Sequence, residues 1–192
     1  MRKIAIFAGL LGALALPAAA QAGTTDRQNA AQECRFERGT TAATREAFAL
    51  KYGTNGNKAN AFGKCVSKLA REERVERAKA KTGAPQVCRV ERGTTAESEA
   101  AFTAKYGTNG KGKNAFGKCV SAKARELKQQ ADGQDHKDAI ARKSAAKQCD
   151  EERGTTAASR TAFTAKYGTN GKGKNAFGKC VSKLAKTLKG DA

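Results

Sequence analysis

The stretch "AFTAKYGTNGKGKNAFGKCVS" spans Ala101 to Ser121 and returns letter for letter from Ala162 to Ser182. A third version, "AFALKYGTNGNKANAFGKCVS", spans Ala47 to Ser67. Each copy carries a cysteine near its end: Cys65, Cys119 and Cys180. A partner cysteine stands 31 positions upstream of each, at Cys34, Cys88 and Cys149. The gaps between these pairs differ, with 22 residues between Cys65 and Cys88 and 29 between Cys119 and Cys149. A spacing fixed within units and loose between them selects one disulfide per unit from the possible pairings of six cysteines. Zinc is a poor rival, because the chain has one histidine, His136, and no close cysteine pair. A dithiol redox role lacks its C-x-x-C motif.

Around the cysteines each unit reads as three helices. The first ends at "ERG". Arg38, Arg92 and Arg153 suit the carbonyl end of the helix dipole. Gly39, Gly93 and Gly154 suit a left-handed residue just past it. Pro85 fits a first helical turn in the second unit. The "TT" that follows caps a second helix, and Thr94 with Glu97 offers a capping box in the second unit. Phe48 with Tyr52, Phe102 with Tyr106, and Phe163 with Tyr167 are i,i+4 pairs on one face. This helix stops at Gly53, Gly107 or Gly168.

The third helix starts near Asn60, Asn114 or Asn175. Phe62, Cys65, Val66 and Leu69 keep the i, i+3, i+4, i+7 rhythm of one face, and Phe177, Cys180, Val181 and Leu184 repeat it. The second unit departs, with Lys123 where leucine is expected. Gly63, Gly117 and Gly178 sit inside this helix, each at a cost of about 1 kcal/mol relative to alanine, which suggests the close approach of another backbone. The fold class is therefore all-α: three small disulfide-tied three-helix modules at 26–71, 85–128 and 135–189, joined by charged helical spacers. Modules this small rarely fold on their cores alone. Closing each loop contributes about 3.5 to 4 kcal/mol in the chain-entropy model. The spacers lack a sustained apolar stripe and read as solvated helices broken near Thr82-Gly83 and Asp132-Gly133. Independent modules on spacers are the first expectation, and a stacked solenoid the alternative.

The first 22 residues read as a signal peptide. Arg2 and Lys3 precede an apolar run from Ile4 to Leu16, then Pro17 and small residues ending at Ala22. The run is short for a bilayer span, and no later segment is apolar enough to make one. An even cysteine count agrees with an oxidising compartment, so a secreted or periplasmic location is expected. Removing Arg2 and Lys3 takes the formal charge from +19 to +17. Such an excess attracts polyanions and says nothing about fold.

The loop "GTNGKGKN", Gly107 to Asn114, comes close to the phosphate-binding pattern G-x-x-x-x-G-K-[ST]. It ends in asparagine, follows a helix where a strand is needed, and loses its second glycine in the first unit's "GTNGNKAN". Nucleotide hydrolysis is thereby disfavoured. A weaker expectation is anion docking at the helix N-termini that these loops enter. The candidate residues are Lys58 and Asn60; Lys111, Lys113 and Asn114; and Lys172, Lys174 and Asn175, with Lys64, Lys118 and Lys179 beside them. The rival view is a capped turn whose lysines only aid solubility. No catalytic constellation, cofactor motif or metal-ligand set is legible: His136 has no repeated serine or cysteine partner, and the carboxylates alternate with lysine and arginine as on solvated faces. The aromatic residues are committed to cores, so specific nucleic-acid recognition is not expected.

At "KYGTN…KNAFGKCVS" the chain resembles a group of small exported bacterial proteins that carry this segment once or several times. The resemblance implies the class and brings no activity with it. The expected role is multivalent binding to an anionic envelope polymer or anionic lipid surface. The alternative is a structural or protein-interaction array. Oligomeric state is left open.

Overall fold

The computed structural model describes residues 19–190, with residues 19–24 described by backbone alone. Residues 1–18 of the expected signal peptide lie outside the described residues. Seven helices follow in order: α1 (Ala19–Arg38), α2 (Ala42–Tyr52), α3 (Ala61–Arg92), α4 (Ala96–Tyr106), α5 (Ala115–Arg153), α6 (Ala157–Tyr167) and α7 (Ala176–Lys189). There is no strand among the described residues. Disulfides Cys34–Cys65, Cys88–Cys119 and Cys149–Cys180 join α1 to α3, α3 to α5 and α5 to α7. Their Cα atoms stand 6.0–6.1 Å apart, and all six cysteines are buried. The architecture is thus three disulfide-tied modules, each pinning a short helix between the ends of two longer ones.

The connecting segments differ from their expected form. The third helix of one module runs unbroken into the first helix of the next, so α3 extends for 32 residues and α5 for 39. Gly83, Gly133 and Pro85 all lie within these helices. A glycine costs a helix about 1 kcal/mol, and Pro85 removes the amide that would serve the Lys81 carbonyl. Both are outweighed because α3 and α5 pack along each other. The buried positions along these helices are mostly alanine: Ala70, Ala80 and Ala84 on α3 and Ala139 on α5, with Ala145 and Ala146 of α5 turned into the core of module 3. A search for large apolar residues at helical spacing passes over such a seam. The boundaries drawn at 71, 85, 128 and 135 therefore fall inside continuous helices.

Nor do the modules all stand apart. Ala43 of α2 shares a core with Ala145, Ala146, Cys149, Phe163, Phe177, Cys180 and Val181 of the third module. Arg153 reaches across to both carboxylate oxygens of Glu46 at 2.9 Å. The second module keeps its own core of Cys88, Phe102, Ala115 and Cys119. Modules 1 and 3 are packed together, and module 2 sits apart from their shared core.

Two local expectations also change. The second helices are capped by the second threonine, Thr41, Thr95 or Thr156. The capping box in module 2 pairs Thr95 with Ser98 and not Thr94 with Glu97. The helical glycines admit no neighbouring backbone: a Cβ on Gly63 or Gly117 would meet nothing within 4 Å, and one on Gly178 would meet only the Leu50 side chain. The glycines after "ER" do take positive φ, +58° at Gly39, +65° at Gly93 and +63° at Gly154. At the latter two ψ lies near 180°, a region essentially reserved for glycine.

Candidate functional site

Each loop between the second and third helices is built around its asparagine. Asn60 accepts a hydrogen bond from the Thr54 backbone N–H at 3.0 Å and donates to Thr54 Oγ1 at 2.8 Å. Asn114 and Asn175 make the same pair of bonds to Thr108 and Thr169. The side chain thus folds back onto the loop and leaves its own helix without a side-chain cap. The asparagines position the loop. They are not aimed outward at a ligand.

The result is a trio of open helix N-termini. In module 2 the first-turn amides of Phe116 and Gly117 find no acceptor among the described residues, while Ala115 and Lys118 bond Gly112 and Asn114. The matching amides of modules 1 and 3 are free in the same way. Such amides, with the helix dipole behind them, favour an anion. Lys111, Lys113 and Lys118, and Lys172, Lys174 and Lys179, are exposed and form no ion pair among the described residues. In module 1 Lys58 is drawn inward, and its Nζ donates to the Gly53 carbonyl at 3.0 Å.

That difference has a steric origin. Lys58 occupies positive φ, +58°, where modules 2 and 3 place Gly112 and Gly173. A Cβ at Gly112 would come within 2.1 Å of Thr103 Cγ2, and one at Gly173 within 1.9 Å of Thr164 Cγ2. The matching helical residue in module 1 is Ala49. A threonine on the second helix therefore demands a glycine in the loop, and an alanine leaves room for Lys58.

A second repeated constellation escaped the sequence reading. The glutamate of each "ERG" receives the lysine and tyrosine of the following "KYGT". Tyr52 Oη donates to Glu37 Oε2 and Lys51 Nζ to Glu37 Oε1, both at 2.6 Å. Tyr106 and Lys105 hold Glu91, and Tyr167 and Lys166 hold Glu152. The signal was present in all three copies as fixed "ERG" and "KYGT" strings. The triads brace the first helix against the second. Glu37 is buried and has a further neighbour, Arg142 Nε, at 3.4 Å. Burial lowers the Lys51 pKa despite Glu37. In modules 2 and 3 the hydrogen bond donated to glutamate raises the pKa of Lys105 and Lys166, and the lysine lowers that of Glu91 and Glu152.

Elsewhere, acidic side chains collect along the α3–α5 seam. Glu73, Glu76 and Asp132 bring one oxygen each within 4.8 Å of one another. The Lys128 ammonium stands among them, 2.6 Å from Glu73, 3.7 Å from Glu76 and in contact with Asp132. Burial opposes its charge, but Asp132 and Glu73 outweigh that and push its pKa up. Burial, with Asp135 next, raises the Glu76 pKa. Lys128 thus takes the position a cation would need. His136 stacks on Phe36 with ring centroids 4.3 Å apart.

No helix among the described residues is long and apolar enough to cross a membrane. No family model, curated protein or solved structure matches the chain.

Proposed function

We propose that this is an exported, non-enzymatic basic repeat protein, secreted or periplasmic, whose modules bind an anionic polymer of the cell envelope or extracellular space. The observation that carries the reading is the separation of charge. No acidic residue lies between Glu46 and Glu72, between Glu99 and Glu126, or between Glu152 and Asp191. The glycine–lysine loops fall in these stretches. The carboxylates gather instead on α1, α3 and α5, where they are neutralised by other cations such as Arg77, Arg142 and Lys128. The loop lysines of modules 2 and 3 are left for external partners, beside helix N-termini with free amides.

One such site is weak. Several on one chain raise the effective concentration of the rest once the first engages a long polyanion. Three disulfides agree with an oxidising location. The test is retention of the disulfide-intact mature protein on purified phosphate- or carboxylate-bearing envelope polymer, with anionic vesicles as a parallel arm, across a salt series. Retention is expected at low salt and release at high salt. Replacing Lys111, Lys113, Lys172 and Lys174 with glutamine should move release to markedly lower salt. Absence of retention at low salt sinks the reading.

A further inference from the structure

We infer that the third-helix face of module 2 is a socket for an acidic amphipathic helix of a partner protein. Two copies of one sequence differ at this face. Phe116 and Val120 belong to the same repeated string as Phe177 and Val181. Phe177 and Val181 are buried, at 4% and 2% exposure, whereas Phe116 and Val120 are only half-buried. The neighbours follow suit. Ala146 and Ala185 are buried, while their counterparts Pro85 and Ala124 are half-buried. An identical string has been covered in one module and left open in the other.

What covers it in module 3 is α2 of module 1. Ala43 lies in the shared core and Ala47 packs against it. Leu50 reaches Gly178, with its Cδ1 3.6 Å from where a Cβ there would stand. Glu46 pairs with Arg153. The occupant is thus a short helix with small residues at i and i+4, leucine at i+7 and a carboxylate at i+3. Module 2 preserves the receiving parts. Arg92 stands where Arg153 stands, lying over the Phe116 ring as Arg153 lies over Phe177. Its ion pair, to Glu99, is long at 3.9 Å. Between α3 and α5 is an open cavity of about 590 Å³ with Val120, Ser121 and Ala124 on its floor and Arg77, Lys81 and Arg125 at its rim. Arg77 is held by Asp26, but Lys81 and Arg125 have no carboxylate partner among the described residues.

The rim chooses the occupant's charge. An apolar floor with Lys81 and Arg125 unpaired at its rim favours a helix richer in carboxylates than α2. A second copy of a chain at +19 is opposed by repulsion. The socket adjoins the helix N-terminus of module 2 and shares Phe116 with it, but its contacts are apolar side chains further along the helix, Val120 and Ala124, and do not require a bound polyanion.

The probe is a helix-stapled peptide of the α2 sequence that keeps Ala43, Glu46, Ala47 and Leu50 and carries Arg45→Glu, Phe48→Glu and Lys51→Glu. Binding to the disulfide-intact mature protein is followed by fluorescence anisotropy and by the methyl resonances of Val120 and Val181. The expected result is a saturable shift at Val120, weakened about tenfold or more by Val120→Lys in the protein and by reversing the peptide's Glu46 to lysine. Lys81→Glu, at an exposed site that cannot unfold the module, should weaken binding as well. No binding at millimolar peptide, a shift at Val181 in place of Val120, or equal affinity for Lys81→Glu overturns the inference. So does a concentration-dependent dimer of the protein alone that Val120→Lys abolishes, since the socket would then belong to a second copy.

Discussion

Module 1 and module 2 build the same glutamate–lysine–tyrosine brace from the same strings, and the two braces live in opposite electrostatic surroundings. Glu37 is 8% exposed and is held by Lys51, Tyr52 and Arg142. Glu91 is more open, and most of Lys105 faces water. Burial lowers the pKa of Lys51, while the contact with Glu91 raises that of Lys105. The residues are alike and only the cover differs. Module 1 is overlain by α5 and packed on module 3, whereas module 2 is covered by nothing beyond its own helices and the α3–α5 seam. The repeat therefore specifies local closure, and position in the chain decides how dry that closure becomes.

Cutting the covalent ties should separate the two environments most sharply. Each disulfide closes a loop worth about 3.5 to 4 kcal/mol to the folded state. Cys119→Ser should melt module 2 alone, because the core of Cys88, Phe102, Ala115 and Cys119 is its own. Cys180→Ser should loosen modules 1 and 3 together, because Ala43 of α2 belongs to the same core as Cys180. Hydrogen exchange resolved by module reads both outcomes. If Cys119→Ser exposes all three modules equally, the chain has one cooperative core and the comparison fails.

The brace itself is the next lever. Glu37→Ala leaves Lys51, Tyr52 and Arg142 with no carboxylate in a buried site, and should cost about 3 kcal/mol in urea unfolding. It should also weaken the packing of module 1 on α5, since Arg142 belongs to that helix. Glu91→Ala removes the same contacts near solvent, where ion pairs are worth little, and should leave the unfolding midpoint almost where it was. Equal losses from the two variants would show that the cover over module 1 has no energetic consequence.

These contrasts mark what the sequence could and could not reveal. The repeat period, the cysteine spacing and the Phe–Tyr pairs made the modules and their disulfides legible, because each is local within a copy. The glutamate brace was legible in principle, since "ERG" and "KYGT" recur intact. What escaped was the assembly of modules. Its contacts are alanines on α3 and α5, whose methyl groups give no strong apolar rhythm, and a seam that tolerates Pro85, Gly83 and Gly133. The candidate lysines were legible as residues. The role of Asn60, Asn114 and Asn175 was not, because an asparagine before a helix reads as its cap, and only the geometry turns it back onto Thr54, Thr108 and Thr169.

Alkaline pH offers the finest test of the buried brace. Burial, with the Glu37 carboxylate next, holds the Tyr52 phenol protonated well above the usual tyrosine range. In the unfolded chain the phenol ionises near pH 10. Above that pH the unfolded state binds fewer protons than the native one, so stability falls as pH rises. Lys51 acts in the opposite sense. Its native pKa lies below the ordinary 10.5, so its contribution grows with pH until the unfolded lysine has also lost its proton. Beyond about pH 10.5 the Tyr52 effect is the one of this pair that continues to change. Thermal midpoints followed by circular dichroism from about pH 9 to 11.5 should therefore drop less steeply at the top of the range in Tyr52→Phe than in the parent chain. The matched Tyr106→Phe, which leaves the buried brace in place, should keep the parent's steepness. Parallel slopes for the parent and Tyr52→Phe would mean that water reaches Glu37 and that module 1 is no drier than module 2.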